Sequence, residues 1–288
     1  MAIRPRSTGE ILDGAFRLYV QDIGLYTATA IVASIPVALL MVLMILSAGS
    51  AAALTGALVL APIAIAAAVS IWTALILQMN ERLEGREPQL GASVRGAFAL
   101  MLRVVWGGII AYVFLLAAMA LWVVAATAVA AIGGLLFPPA IAAMLTVSAV
   151  VALGILVCLA VLPGISLFLP GIAVEGQTAY SAVKRGFQLA RGGRGRILLV
   201  LFVAWLLMAV PMLGVYVVTG TASMLVDPQA MATGTVSAGQ FVMQQFLLLL
   251  VGGFATPYLV ACILLLYFDQ RIRREAFDLQ SEAEALAT

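Results

Sequence analysis

Three glutamates, Glu81, Glu84 and Glu87, recur every third residue with Arg82 and Arg86 between them. A metal or acid–base role would need such carboxylates to converge in a concave site. Interleaved with arginine in a short connection, they read instead as solvated ion pairs. The chain has no histidine, which removes the commonest general base and the commonest metal ligand together. Cys158 and Cys262 lie in long apolar runs without a CxxC neighbour, so neither a disulfide framework nor a thiolate metal site is indicated. No GxSxG, P-loop or HExxH pattern occurs. The expectation is a non-enzyme, with no catalytic residue, metal or cofactor.

The residues that could instead recognise something are basic. Lys184, Arg185, Arg191, Arg194 and Arg196 cluster in one stretch, opposed nearby only by Glu175. Beside an anionic leaflet each such charge contributes about 1 kcal/mol. Such charges also fix orientation, and topology alone is one reading of them; because five exceed what orientation requires, contact with anionic lipid headgroups is the functional reading beside it. Gly192, Gly193 and Gly195 stand among them, where backbone amides can approach a phosphate.

Composition says what must position these side chains. Of 288 residues, 64% are hydrophobic and 10% charged, with a mean hydropathy of +1.16. A soluble domain carries about 25% charged residues, so the chain belongs with membrane proteins. Glu10, Asp13 and Asp22 precede an apolar stretch longer than the h-region of about 7–15 residues in a signal peptide, so the first hydrophobic segment is expected to be retained. Three runs, 23–80, 104–174 and 197–268, hold no charge except Asp227. A helix crosses a bilayer with about 20 apolar residues, so each run suits two crossings and a turn. The turns fall at Ser47-Ala48-Gly49-Ser50, at Gly133-Gly134 with Pro138-Pro139, and in the polar stretch 220–240 with Asp227-Pro228. Six spans follow, at roughly 23–47, 52–78, 105–132, 140–170, 197–219 and 241–267. None holds a charge, which removes the usual residues of proton relays and ion coupling.

All 15 Lys and Arg residues avoid the three turns. Basic residues in short loops stay in the cytoplasm, so both termini and both long connections are expected there. A repeat accompanies this pattern. Ile11-Leu12-Asp13-Gly14-Ala15-Phe16-Arg17-Leu18 aligns with Ser93-Val94-Arg95-Gly96-Ala97-Phe98-Ala99-Leu100 and with Ala182-Val183-Lys184-Arg185-Gly186-Phe187-Gln188-Leu189. Each copy precedes a run, so the unit is a short amphipathic interfacial helix plus a hairpin, repeated in parallel. In the first copy Glu10, Asp13, Arg17 and Gln21 form a polar face and Leu12, Phe16 and Tyr19 the opposite one. Pro36, Pro62, Pro163, Pro170, Pro211 and Pro257 predict kinks in five of the spans. Pro163 precedes Glu175, and Pro257 precedes Asp269, by the same interval, which predicts a shared bend and exit carboxylate.

The segment from Arg4 to Tyr19, with Arg4-Pro5-Arg6-Ser7-Thr8-Gly9-Glu10 leading into the first repeat, resembles the start of bacterial proteins carrying the glycerophosphoryl diester phosphodiesterase membrane domain. Gly171-Ile172-Ala173-Val174-Glu175-Gly176 with the third repeat and its continuation Ala190-Arg191-Gly192, and Tyr267-Phe268-Asp269-Gln270-Arg271-Ile272-Arg273-Arg274-Glu275-Ala276-Phe277-Asp278-Leu279, are similar to that family too. In its namesakes a membrane part is joined to a soluble barrel that uses histidine and metal-binding carboxylates. Without histidine, that chemistry transfers to no position here. The resemblance implies a membrane part alone, tied loosely in some relatives to envelope integrity.

The expected protein is therefore all-α and polytopic, one membrane domain over 1–288 with units at about 7–80, 90–174 and 178–268 and a cytoplasmic tail at 269–288. Its place is the bacterial inner membrane, as an envelope scaffold or lipid-interacting accessory subunit. The alternative is a transporter or channel for a lipidic or small uncharged substrate. Membrane lipids, anionic phospholipid among them, and a membrane-protein partner are the expected contacts. Nothing points to nucleic acid.

Overall fold

Long apolar stretches with few helix breakers become helices, and the computed structural model describes residues 6–46, 51–222 and 237–287 as helices joined by short turns, with no strand among them. The helices are α1 (Thr8–Gln21), α2 (Ile23–Leu46), α3 (Ala51–Leu83), α4 (Leu90–Leu136), α5 (Pro139–Ser166), α6 (Phe168–Glu175), α7 (Ala179–Ala190), α8 (Arg194–Val218) and α9 (Ala238–Ala287). Six stretches are long and apolar enough to cross a bilayer: Ile23–Leu43, Leu60–Leu83, Leu90–Leu136, Pro139–Glu175, Arg194–Val218 and Ala238–Glu275. The chain is thus all-helical with six apolar helices, as a multi-pass membrane protein requires. The expected turn at 47–50, and Asp227-Pro228 in the third turn, lie outside the described residues. The second turn falls at Phe137 and Pro138, at the expected Pro138-Pro139, whereas Gly133-Gly134 lies inside α4.

The chain divides into two compact units, Met1–Val105 with Val200–Leu266, and Trp106–Leu199 with Tyr267–Thr288. Helices α4, α8 and α9 run from one unit into the other. In the first unit, α1 opens with a capping box: Glu10 N–H donates to Ser7 Oγ (3.2 Å) and Ser7 N–H to Glu10 Oε2 (2.6 Å). The helix buries Ile11, Ala15, Leu18 and Tyr19 and leaves Phe16 57% exposed. The inward face is therefore rotated from the expected Leu12–Phe16–Tyr19 stripe. In a membrane protein lipid also accepts an apolar side chain, and Gly14, whose absent Cβ would stand 3.3 Å from Leu265, lets the rotated face approach α9.

Helices α2 and α3 pack along each other through small buried residues, Ala30, Ala33 and Ala74 among them. A buried polar pair joins them. Gln78 Nε2 donates to Thr29 Oγ1 (3.0 Å), whose hydroxyl also reaches Gln78 Oε1 (3.2 Å) and Leu25 O (2.9 Å). At the charged end, Arg82 Nε lies 3.0 Å from Asp22 Oδ2, across the two helices. In the third apolar run, Ser237 and Gln240 form a second reciprocal cap at the start of α9.

In the second unit, Trp122 Nε1 of α4 donates to Val150 O of α5 (3.0 Å). Helix α5 ends at Ser166 and α6 begins at Phe168. Pro170 explains the break, because it lacks an N–H for Ser166 O and its ring crowds that carbonyl, yet fits the first turn of a new helix. Pro163 and Pro257 both sit inside continuous helices, α5 and α9, so the break belongs to Pro170 and the expected shared bend is a helix break at neither place. Helix α7 crosses α5 where Gly186 lies directly against the Gly164 carbonyl and Phe187 covers Gly164; any Cβ at Gly186 would collide with that backbone.

The aligned segments share a burial register. Ile11 and Ala15, Ser93 and Ala97, and Ala182 and Gly186 are all buried. They differ in continuity. Helices α1 and α7 are separate elements, whereas the second copy is the beginning of α4, 47 residues long. No proline or glycine pair stands between Phe98 and Arg103 to interrupt it, and Met101 and Leu102 are good helix formers.

Candidate functional site

The expected headgroup residues all fall in the second unit, on α7, on the start of α8 and in the turn between them. The structure separates them into two sets. Arg185 is neutralised: its Nε lies 3.0 Å from Glu175 Oε2, and its Nη2 donates to Glu175 Oε1 (3.3 Å) and Glu275 Oε1 (2.6 Å). Arg271 closes the ring, with Nε 2.9 Å from Glu275 Oε2 and Nη1 3.5 Å from Glu175 Oε1. Two arginines thus bridge two glutamates. Burial disfavours the Arg185 charge, but the neighbouring Tyr267, the hydrogen bond to Glu275 and the Glu175 charge outweigh it, raising its pKa above the ordinary range.

Arg196 is paired too, with a carboxylate it shares. Its Nη1 donates to Asp269 Oδ2 (2.9 Å), which also accepts from Arg273 Nε (2.9 Å). The Asp269 side chain is wholly buried, so it depends on these guanidinium groups in place of water. Sequence placed Glu175 alone against the basic cluster. Asp269 and Glu275 were missed because they arrive from α9, 73 and 90 residues away from Arg196 and Arg185.

The glycines are occupied differently from expectation. Gly192 adopts φ +82° in the turn, and a Cβ at Gly193 would stand 2.9 Å from Gln270 Oε1. Gln270, nearly fully buried, takes the place sequence reasoning gave to a phosphate. Gly195 alone faces open space.

Lys184, Arg191 and Arg194 form the second set. No carboxylate pairs with them among the described residues. All three line one groove of about 480 Å³, with Phe114, Ala117, Ala118 and Leu121 of α4, Val161 of α5, and Tyr180, Val183, Phe187 and Gln188 of α7. Phe114 and Phe187, both in its lining, pack at 5.7 Å between ring centroids. The groove therefore has a cationic rim and an apolar wall, and no carboxylate lines it.

The glutamate-rich connection does not form a comparable site. Glu84 pairs with Arg86 and accepts from Asn80 Nδ2 (2.8 Å), half exposed to solvent. Among the described residues no group of three carboxylate or cysteine side chains could hold a metal ion. The first unit holds two grooves that sequence reasoning missed. One, of about 330 Å³, includes Ser34, Trp72 and Gln245; the other, of about 550 Å³, lies between Phe16, Tyr19, Pro211 and Tyr258. Their walls come from helices far apart in sequence, so no local pattern announces them.

Together these features are those of an all-helical chain with six helices long and apolar enough to span a membrane and a basic, partly paired cluster in its second unit. Compared with known proteins, the chain matches no family model, no curated protein and no solved structure. The likeness to the phosphodiesterase membrane domain therefore rests on its three sequence patches alone.

Proposed function

We propose that this chain is a non-enzymatic protein of the bacterial inner membrane that serves as an envelope scaffold or lipid-interacting accessory subunit. The reading places both termini in the cytoplasm and arranges the six spans as three hairpins in parallel repeat. The shared burial register of residues 11 and 15, 93 and 97, and 182 and 186 supports the repeat. The confinement of every Lys and Arg to the connections and ends away from the three turns supports the orientation. The likeness to the glycerophosphoryl diester phosphodiesterase membrane domain agrees with a role in the envelope without the hydrolase.

One observation carries the lipid-interacting part of the proposal. While Arg185, Arg196, Arg271 and Arg273 are paired with carboxylates, Lys184, Arg191 and Arg194 line a groove in a chain whose surroundings are lipid. Polybasic segments beside the membrane are drawn to anionic headgroups.

Native mass spectrometry of the protein extracted gently from its own membrane tests the reading. Retained phospholipid, or a second polypeptide in the same spectrum, is expected. A bare monomer with neither would count against it and turn attention to transport.

A further inference from the structure

We infer that the groove between α4, α5 and α7 is a site for one anionic phospholipid, with its phosphate held by Lys184, Arg191 and Arg194 and an acyl chain laid against Phe114, Ala117 and Leu121. The inference rests on the lipid-interacting reading above and deepens it from a basic surface to a defined site.

Depth supports the assignment. The turn between α4 and α5 falls at Phe137 and Pro138. A bilayer core about 30 Å thick is crossed by about 20 helical residues. Counting back from that turn along α4 reaches about residue 116, and counting forward along α5 reaches about residue 159. Phe114, Ala117, Leu121 and Val161 straddle that level. The basic rim thus lies where headgroups lie, and the apolar wall continues into the acyl layer.

Charge decides the headgroup. No carboxylate lines the groove, and the nearby Glu175, Asp269 and Glu275 are engaged by arginines. A zwitterionic lipid would bring its own cation towards three cations with nothing to receive it. A headgroup whose only charge is its phosphodiester meets complementary charge alone, and Tyr180 and Gln188 add hydrogen-bonding groups on the same wall. A detached phosphate would meet the same rim but leave the apolar wall unfilled. The volume is within the range of small-molecule pockets, about 300–1,000 Å³.

The experiment uses the full chain in detergent, stripped of lipid and titrated with phosphatidylglycerol, phosphatidylcholine or glycerol phosphate under native mass spectrometry. A single phosphatidylglycerol adduct is expected, favoured over phosphatidylcholine. Lys184→Gln/Arg191→Gln/Arg194→Gln should weaken it on the order of 100-fold, from three charges at the leaflet. Ala117→Trp fills the groove at an exposed lipid-facing position and leaves the charges, and it should abolish the adduct too. Arg17→Gln/Arg95→Gln removes two charges elsewhere and should leave it intact; unchanged thermal unfolding certifies each variant as folded. If the triple variant loses lipid but Ala117→Trp keeps it, the groove inference falls and the general lipid-binding reading stands. If the triple variant keeps it, or no variant and no wild-type protein retains lipid, both fall. Glycerol phosphate binding as tightly as phosphatidylglycerol would make the ligand a soluble phosphate and overturn the lipid assignment.

Discussion

Asp269 shows how the two fates of charge in this protein are set residue by residue. A carboxylate with no exposed side-chain area is sustained by two guanidinium groups at 2.9 Å. Removing one of these partners leaves the other in place, whereas removing both takes both cations from a buried carboxylate, which costs about 3–5 kcal/mol. Arg196→Gln and Arg273→Gln alone should therefore destabilise mildly, and together by far more than their sum. Adding Asp269→Asn to the double variant should recover most of the loss. Unfolding in mixed micelles checks this, and simple additivity of the two single variants would contradict it. The residue types at this site were legible in the sequence, because a basic cluster is visible in any linear reading. Which of them are neutralised was not, since that depends on α9 returning beside α7 and α8. Lys184 and Arg185 are neighbours in the chain, yet one is exposed beside the groove and the other bridges two glutamates.

The elements were legible where chain chemistry acts locally. Charge-free runs gave the six apolar helices, and Ser7 with Glu10 gave the start of α1. Faces were less legible. Apolar periodicity separates apolar from polar, but in a bilayer it does not separate lipid-facing from protein-facing, so Phe16 pointed outward and Ala15 inward. Small residues carry that missing information, because close approach of helices needs them. Gly186 lies against the Gly164 carbonyl with no room for a Cβ. Gly186→Ala should lift α7 from α5 and cost about 1–3 kcal/mol. Gly195→Ala, in the first turn of α8 with open space beside it, should be neutral or stabilising by up to about 1 kcal/mol. Thermal unfolding of the two variants decides it, and equal effects would show that the crossing is not close.

At the scale of the molecule, the account joins two asymmetries. Apolar helices make the chain a membrane protein, and the placement of its basic residues gives it a direction. The three turns carry no Lys or Arg in the sequence, while in the second unit the basic segments hold ion pairs and the cationic groove. The proposed lipid contact depends on that direction, because anionic headgroups with their negative surface potential face the cytoplasm. The hairpin arrangement and its sidedness belong to the proposal, and sidedness is the part on which the lipid site stands or falls.

Single-cysteine accessibility tests that claim most directly. With Cys158 and Cys262 replaced by serine, Ser181→Cys beside the groove and Phe137→Cys at the second turn are labelled in intact cells with a membrane-impermeant thiol reagent. The account predicts that Phe137→Cys reacts from outside while Ser181→Cys reacts only after the membrane is opened. External labelling of Ser181→Cys in intact cells would contradict it.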